Sequence, residues 1–440
     1  MGQEKPIHKV ARQGGITYGV TVFLFLVRFV KSAVISRILG PERRGIFGIL
    51  NLIPELLSSL GSLSFGPATI YYVGRERYDG RKAMGGNLLF LAVLGVILAA
   101  LGFVLFQIDV LFKEDVAVIR KYMLLTLIVI PVMLAKFLGS DFLLARDRVG
   151  ALNVVRTVFS VLPLALFLLF WAFLENPLSA AVLSWCLSSV VVGFLPFWQL
   201  RSSEVYPPAW PGPFLRRGLA FGLAGHFANF FQMIMLRSDF LFISAMLGTK
   251  KLGYYAITTN VAELLLMLPE SLAIPFIPTL LQMEKKDSDS LVPPIFRFLF
   301  TSMALCGVIT ILFGKFFIRL IFGEDFLPAY EPLVYLQPGI VAVGLYMILK
   351  IDLFNHKQPG IVSILTGVGA GLNLALNYHF IHWFGIKGAA ITSSISYIVV
   401  TILLYVVYYK RSGNGPYKML VLTRSDIRMI VHAARKRFDS

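Results

Sequence analysis

Apolar runs of twenty or more residues alternate with short polar punctuation from one end of the chain to the other. Strict alternation, the mark of half-buried strands, is missing, and the runs are long enough to be helices that cross a bilayer. Divided at turn residues and charges, the pattern predicts twelve helices, over 16–38, 46–72, 84–107, 118–144, 149–173, 178–200, 216–247, 252–281, 294–318, 328–352, 360–383 and 386–409. Pro54, Pro67, Pro131, Pro163, Pro269 and Pro275 fall inside these runs and predict kinks, because each removes a backbone donor. The expected class is an all-α polytopic membrane protein.

Composition agrees. Of 440 residues, 57% are apolar and 15% charged, and mean hydropathy is +0.75. A soluble enzyme or a nucleic-acid-binding domain carries more charge. The formal charge of +17 therefore reads first as topology. With the N-terminus inside, 26 Lys and Arg lie on inner segments and 11 on outer ones, so both termini are expected in the cytoplasm. The run after the polar N-terminus lacks a cleavage pattern and is read as a retained first span. Cys186 and Cys306 lie in apolar runs, and no cluster suggests a metal. No loop between spans is long enough to house a catalytic domain, so any action belongs to the bundle. No cofactor is expected.

The chain repeats itself. Residues 35–67 and 243–275 align without gaps at an offset of 208, with nine identities that include Gly40/Gly248, Gly45/Gly253, Glu55/Glu263 and Pro67/Pro275. A weaker match at an offset of 210 pairs LLARDRVG (143–150) with LFNHKQPG (353–360). Six spans per copy is an even number, so the copies run parallel about an axis along the membrane normal. The expected organisation is an N-lobe (1–200), a linker (201–215), a C-lobe (216–409) and a basic tail (410–440), with a central cavity between the lobes.

Charges inside the spans mark that cavity. Four cations facing lipid would cost roughly 10–14 kcal/mol, so Arg28, Lys31, Lys136 and Arg237 must face water or a partner. On a helical wheel Thr17, Thr21, Arg28 and Lys31 fall within about 80°, and His226, Asn229, Gln232, Arg237 and Asp239 within about 160°. The functional reading is a cationic cavity for an anionic headgroup, since the planar fork of Arg suits phosphate oxygens. An internal salt bridge such as Lys31–Asp239, or Lys136–Asp141, is the structural alternative. Glu55 and Glu263 occupy matching places and are candidates to carry a coupling ion, with a helix–helix hydrogen bond as the alternative. Glu270 and Asp352 read as solvated near an interface. Asn373 and Asn377, one turn apart, read as contacts between helices. The tail over 425–438 has an apolar face and basic residues suited to anionic lipid, or is simply solvated.

The run SRILGPERRGIFGILNL, its second copy RSDFLFISAMLGTKKLGYYAITTNVAELLLMLP and LNLALNYHFIHWFGIKGAAITSSISY at 372–397 resemble the polysaccharide transporter (oligosaccharide-lipid flippase, Wzx-like) family of the MATE-like MOP exporter superfamily. The resemblance implies two six-helix lobes around a cavity. It implies transfer of an undecaprenyl-diphosphate-linked oligosaccharide between leaflets of the inner membrane, for O-antigen, capsule or exopolysaccharide synthesis, alongside a polysaccharide polymerase. Arg28, Lys31 and Arg237 would engage the diphosphate. Proton or sodium coupling stays open. A cation-coupled multidrug exporter of the same superfamily is the main alternative, opposed by the basic stripes. A membrane glycosyltransferase, polymerase or ligase, or a scaffold, is a further one.

Overall fold

The computed structural model describes residues 6–62, 65–75, 78–201, 208–209, 214–282 and 285–421. Among the described residues every regular element is helical. The elements run α1 (Pro6–Gly61), α2 (Phe65–Thr69), α3 (Gly80–Gln107), α4 (Val116–Leu127), α5 (Val129–Ala145), α6 (Val149–Phe173) and α7 (Pro177–Leu200) in the N-terminal half. The C-terminal half holds α8 (Phe214–Leu247), α9 (Thr249–Ala262), α10 (Met267–Gln282), α11 (Lys285–Phe322), α12 (Tyr330–Asn355), α13 (Pro359–Phe384), α14 (Ile386–Ser412) and the short α15 (Pro416–Leu420). The tail over 425–438 and most of the linker lie outside the described residues.

Nine described helical segments are long and apolar enough to cross a membrane, and they coincide with nine of the twelve expected spans. The other three depart for identifiable reasons. The expected spans 16–38 and 46–72 both fall within α1, which is two helices meeting at a non-helical break at Gly40 (φ 69°, ψ 174°); the second ends at Gly61, short of the expected 72. The expected span 252–281 is interrupted by a 3₁₀ turn over Glu263–Leu266. That turn precedes Pro269, whose missing N–H and ring bulk disturb the carbonyl four residues back. Pro131 acts the same way, and α4 gives way to α5 at Ile128. Pro163 is carried within α6 without a break.

The repeat is visible in the backbone. Gly248 (φ 86°, ψ 174°) adopts the conformation of Gly40, which only glycine takes without strain. Asp147 and Lys357, matched at the offset of 210, are both left-handed, with φ of 54° and 59°. Their turns make the same bonds: Arg148 N to Leu143 O at 2.8 Å, and Gln358 N to Leu353 O at 3.0 Å.

The reversals sort the bundle into two ends. Gly40, Gly248, Gly323 and Gly385 lie at the far end, opposite the start of α1. At this end the halves meet, with α1 packed along α9. A Cβ added to Gly45 would overlap the Thr249 carbonyl, and one added to Gly253 would overlap the Pro41 carbonyl. The two clashes are mates under the 208 offset, so the contact is pseudo-twofold. Thr249 Oγ1 donates to Asp115 Oδ2 at 2.5 Å, and Arg37 Nε donates to the Ile321 carbonyl at 2.7 Å. Large apolar side chains point outward along the bundle, among them Val96 (70% exposed), Phe173 (80%) and Leu312 (69%). Such a belt fits hydrocarbon, not water. Cys186 and Cys306 are free thiols.

Candidate functional site

The charged side chains converge between the halves. Arg28, on the first limb of α1, is exposed and lines an opening of about 210 Å³ with Ser32, Asn260, Glu263 and Glu270. Its Nε reaches Ser160 Oγ on α6 at 3.4 Å. Across the opening, Asn260 Nδ2 donates to Ser32 Oγ at 2.8 Å, which ties the two halves at this depth. Lys31, one turn along, lies within electrostatic reach of Arg28, Glu55 and Arg44. Glu55, on the second limb of α1, is the hub, interacting with Arg237, Lys136, Lys31 and Glu263.

Arg237 and Glu263 form a bidentate pair, Nη1–Oε1 at 2.6 Å and Nη2–Oε2 at 3.0 Å. The guanidinium fork expected to meet an anion is thus occupied by a carboxylate from the 3₁₀ turn after α9. Lys136 projects from α5 over the Phe159 ring, its ammonium 3.9 Å from the centroid, so its partner is an aromatic face and not Asp141.

The polar stripe of α8 divides. Asn229 and Gln232 turn to α12, where Lys350 Nζ donates to their side-chain oxygens at 2.6 and 2.7 Å. His226 is buried, bonded to the backbone of Leu60 on α1 and stacked against Phe230. Asp239 turns the other way, into the C-terminal half, at 1% exposure. Its Oδ2 accepts from Tyr255 Oη at 2.5 Å and from Ser393 Oγ at 3.2 Å, so its partners are hydroxyls and not Lys31. Asn373 extends this network, accepting from Ser238 Oγ at 2.7 Å and from Asn377 Nδ2 at 2.9 Å. Asn373 joins helices as expected, through Ser238 on α8 and Ser393 on α14, whereas among the described residues Asn377 bonds only to Asn373 on its own helix.

Several charged residues escaped the sequence reading. Lys350 sits near the end of an apolar run and reads there as a topology charge. Asp352, expected to be solvated, is fully buried. Its Oδ2 meets Arg411 Nη2 at 2.6 Å, and the same nitrogen meets Asp289 Oδ1 at 2.9 Å. This clamp binds α11, α12 and α14 at the near end. His356 joins it, its Nδ1 3.4 Å from Asp352 Oδ1. Asp289, Asp352 and His356 are close enough to hold a metal ion, but Arg411 already supplies the positive charge there.

Around the opening, then, four cations (Arg28, Lys31, Lys136 and Arg237) face three carboxylates (Glu55, Glu263 and Glu270). They approach from both halves. A surplus of positive charge in a partly dehydrated space attracts an anion.

A family model described as "Polysaccharide biosynthesis protein" matches residues 34–331. A probable low-salt glycan biosynthesis flippase, Agl15 of Haloferax volcanii, is 26% identical over 174 residues. That match spans 38% of this chain and about a third (36%) of the relative. Among solved structures, an inward-facing MATE family multidrug resistance transporter of the MOP superfamily superposes with a TM-score of 0.74 at 15% identity, covering 90% of this chain and 98% of that one. The lipid II flippase MurJ, in an inward closed conformation, superposes with a TM-score of 0.72 at 14% identity, covering 91% and 90%. The fold is therefore that of the MATE-like MOP exporters, and the chain belongs to the polysaccharide biosynthesis protein family.

Proposed function

We propose that this protein is a flippase that moves a diphosphate-linked, lipid-anchored oligosaccharide across the membrane by alternating access. The observation that carries the reading is the surplus of cations between the halves, with Arg28, Lys31, Lys136 and Arg237 set against Glu55, Glu263 and Glu270. A diphosphate entering this space would compete with Glu263 for the Arg237 fork. That exchange gives the fork a counter-ion between cycles and lets the headgroup replace it. The lipid chain would stay in the bilayer while the headgroup passes between the halves.

The finer reading is an undecaprenyl-diphosphate-linked repeat unit. It would travel from the inner to the outer leaflet of a bacterial inner membrane, with the near end and both termini in the cytoplasm and a polysaccharide polymerase downstream. The excess of Lys and Arg on near-end segments supports that orientation. The names of two similar proteins, a glycan biosynthesis flippase and a lipid II flippase, support the substrate class. A drug exporter for organic cations would be poorly served by a cationic cavity.

The test is leaflet-resolved. Purified protein is reconstituted in vesicles with a prenyl-diphosphate-linked oligosaccharide in one leaflet, and its appearance in the other is counted. Transfer by the native protein, lost in Arg28→Ala/Arg237→Ala, is the expected result. Equal transfer by a well-folded double variant would overturn the role of the basic cavity.

A further inference from the structure

A pocket of about 480 Å³ lies in the C-terminal half between α11, α12 and α14, and shares no residue with the basic opening. Phe296, Phe300, Ala304, Val341 and Leu345 give it apolar walls, and among the described residues no charged side chain lines it. It follows α11 from Ile311 to Phe296, about 22 Å of helix. Val308 and Ile402 stand at its edge, 51% and 54% exposed, so it opens sideways into the apolar belt. At the near end α15 closes it with Pro416, Met419 and Leu420. That closure is fastened. Arg297 Nη1 donates to the Lys418 carbonyl, Asn414 Nδ2 to the Asp289 carbonyl at 2.8 Å, and Tyr405 Oη to the Asn414 carbonyl at 3.1 Å.

One polar group inside it is unanswered. Gln337, about two turns into α12, lines the pocket at 2% exposure, and among the described residues neither its Oε1 nor its Nε2 has a hydrogen-bond partner. Its Oε1 rests over Gly307 on α11, where an added Cβ would stand 3.5 Å from it. The hydroxyl protons of the lining are spent elsewhere. Thr401 Oγ1 donates to the Ala342 and Tyr397 carbonyls at 2.9 and 2.7 Å, and Tyr405 Oη to Asn414. A primary amide buried with both ends unpaired is costly. A lone water would be poorly held, because it needs about two to four polar partners and these walls are almost wholly apolar.

A plain hydrocarbon chain from the bilayer would fill the space and leave the amide as it is. A carbonyl group would answer Nε2 alone. A hydroxyl answers both ends, since its oxygen accepts from Nε2 while its proton goes to Oε1. An ionised headgroup would find no opposite charge among the described residues of the lining. We propose that this pocket binds a neutral lipid alcohol, one long hydrocarbon chain ending in a hydroxyl, with the hydroxyl on Gln337 and the chain lying along α11 toward α15.

Such a ligand would act on the packing of one half. It touches α11, α12, α14 and α15 at once, and the first three meet again in the Arg411 clamp at the near end. A molecule that binds the folded chain in this way stabilises it. The site takes nothing from the basic opening, so it stands or falls apart from the flippase reading.

The test uses the purified full-length protein in detergent, with tritiated geranylgeraniol as the probe. Binding should saturate, and the hydrocarbon of the same chain without the hydroxyl should compete roughly tenfold more weakly. Gln337→Leu keeps much of the volume and removes the amide, so it should bind the alcohol no better than the hydrocarbon. The alcohol should also raise the unfolding midpoint of the native protein and leave that of Gln337→Leu in place. If Gln337→Leu does not fold, Ala304→Phe, which fills the pocket, should lose the alcohol instead. Hexadecanol sorts the chain: equal competition means a lipid alcohol of either kind, and weak competition means a prenol. No saturable binding, equal competition by the hydrocarbon, or native affinity in Gln337→Leu would overturn the proposal. Equal competition by the hydrocarbon would make the pocket a seat for ordinary bilayer chains only.

Discussion

At the scale of single residues, the decisive feature is that the cavity's cations are not all equally available. Arg237 is held by Glu263, whereas Arg28 makes one long bond to a serine. Glu263→Gln should therefore loosen the unloaded protein by about 1–3 kcal/mol, because a charge-assisted pair is lost, while strengthening the binding of an anionic headgroup. Thermal unfolding and a binding titration with a soluble prenyl diphosphate would check the two signs separately. Lys350→Met should reduce transfer severalfold without unfolding the protein, since Asn229 and Gln232 stay partly solvated; the vesicle assay measures it. Arg411→Ala should be of a different kind. It strands the fully buried Asp352 without a counter-ion and should cost about 3–5 kcal/mol in stability, read in a denaturation midpoint.

At the scale of elements, the glycine pairs of the repeat govern how the helices meet. Gly45→Ala or Gly253→Ala would drive a methyl into a backbone carbonyl of the opposite half, so the far end should no longer close. Labelling of Ser32→Cys from the far side, in a background with Cys306→Ser, should rise roughly tenfold or more. These elements are legible in the sequence. The glycines stand at matching places in two copies, and a repeat constrains backbone as well as side chains. The end of the second limb of α1 at Gly61, short of the expected 72, is less so, because the apolar run continues through α2. The side chains of α8 are harder still. A polar stripe reads alike whether its residue is exposed and meets a lysine, as at Asn229, or lies in the closed interior of one half, as at Asp239. Lys350 is hidden because a cation near the end of an apolar run looks like a topology signal.

At the scale of the whole molecule, the two halves touch through a pseudo-twofold contact at one end and enclose the charged opening beyond it. If the proposed alternating-access cycle operates, this contact must part. A crosslink between Asp115→Cys and Thr249→Cys, placed where the native side chains meet at 2.5 Å, should arrest transfer, and reduction should restore it. Transfer that continues in the oxidised protein would mean that the halves need not separate there.

The contact at Gly45 and Gly253 joins main chain to main chain. On the proposed reading, a shutter built from peptide groups would carry no preference among cargoes, since it presents the same atoms whatever lies beneath it. Selectivity would then rest on the lining positions alone, so changing a few of them would alter the cargo and leave the contact at Gly45 and Gly253 as it is.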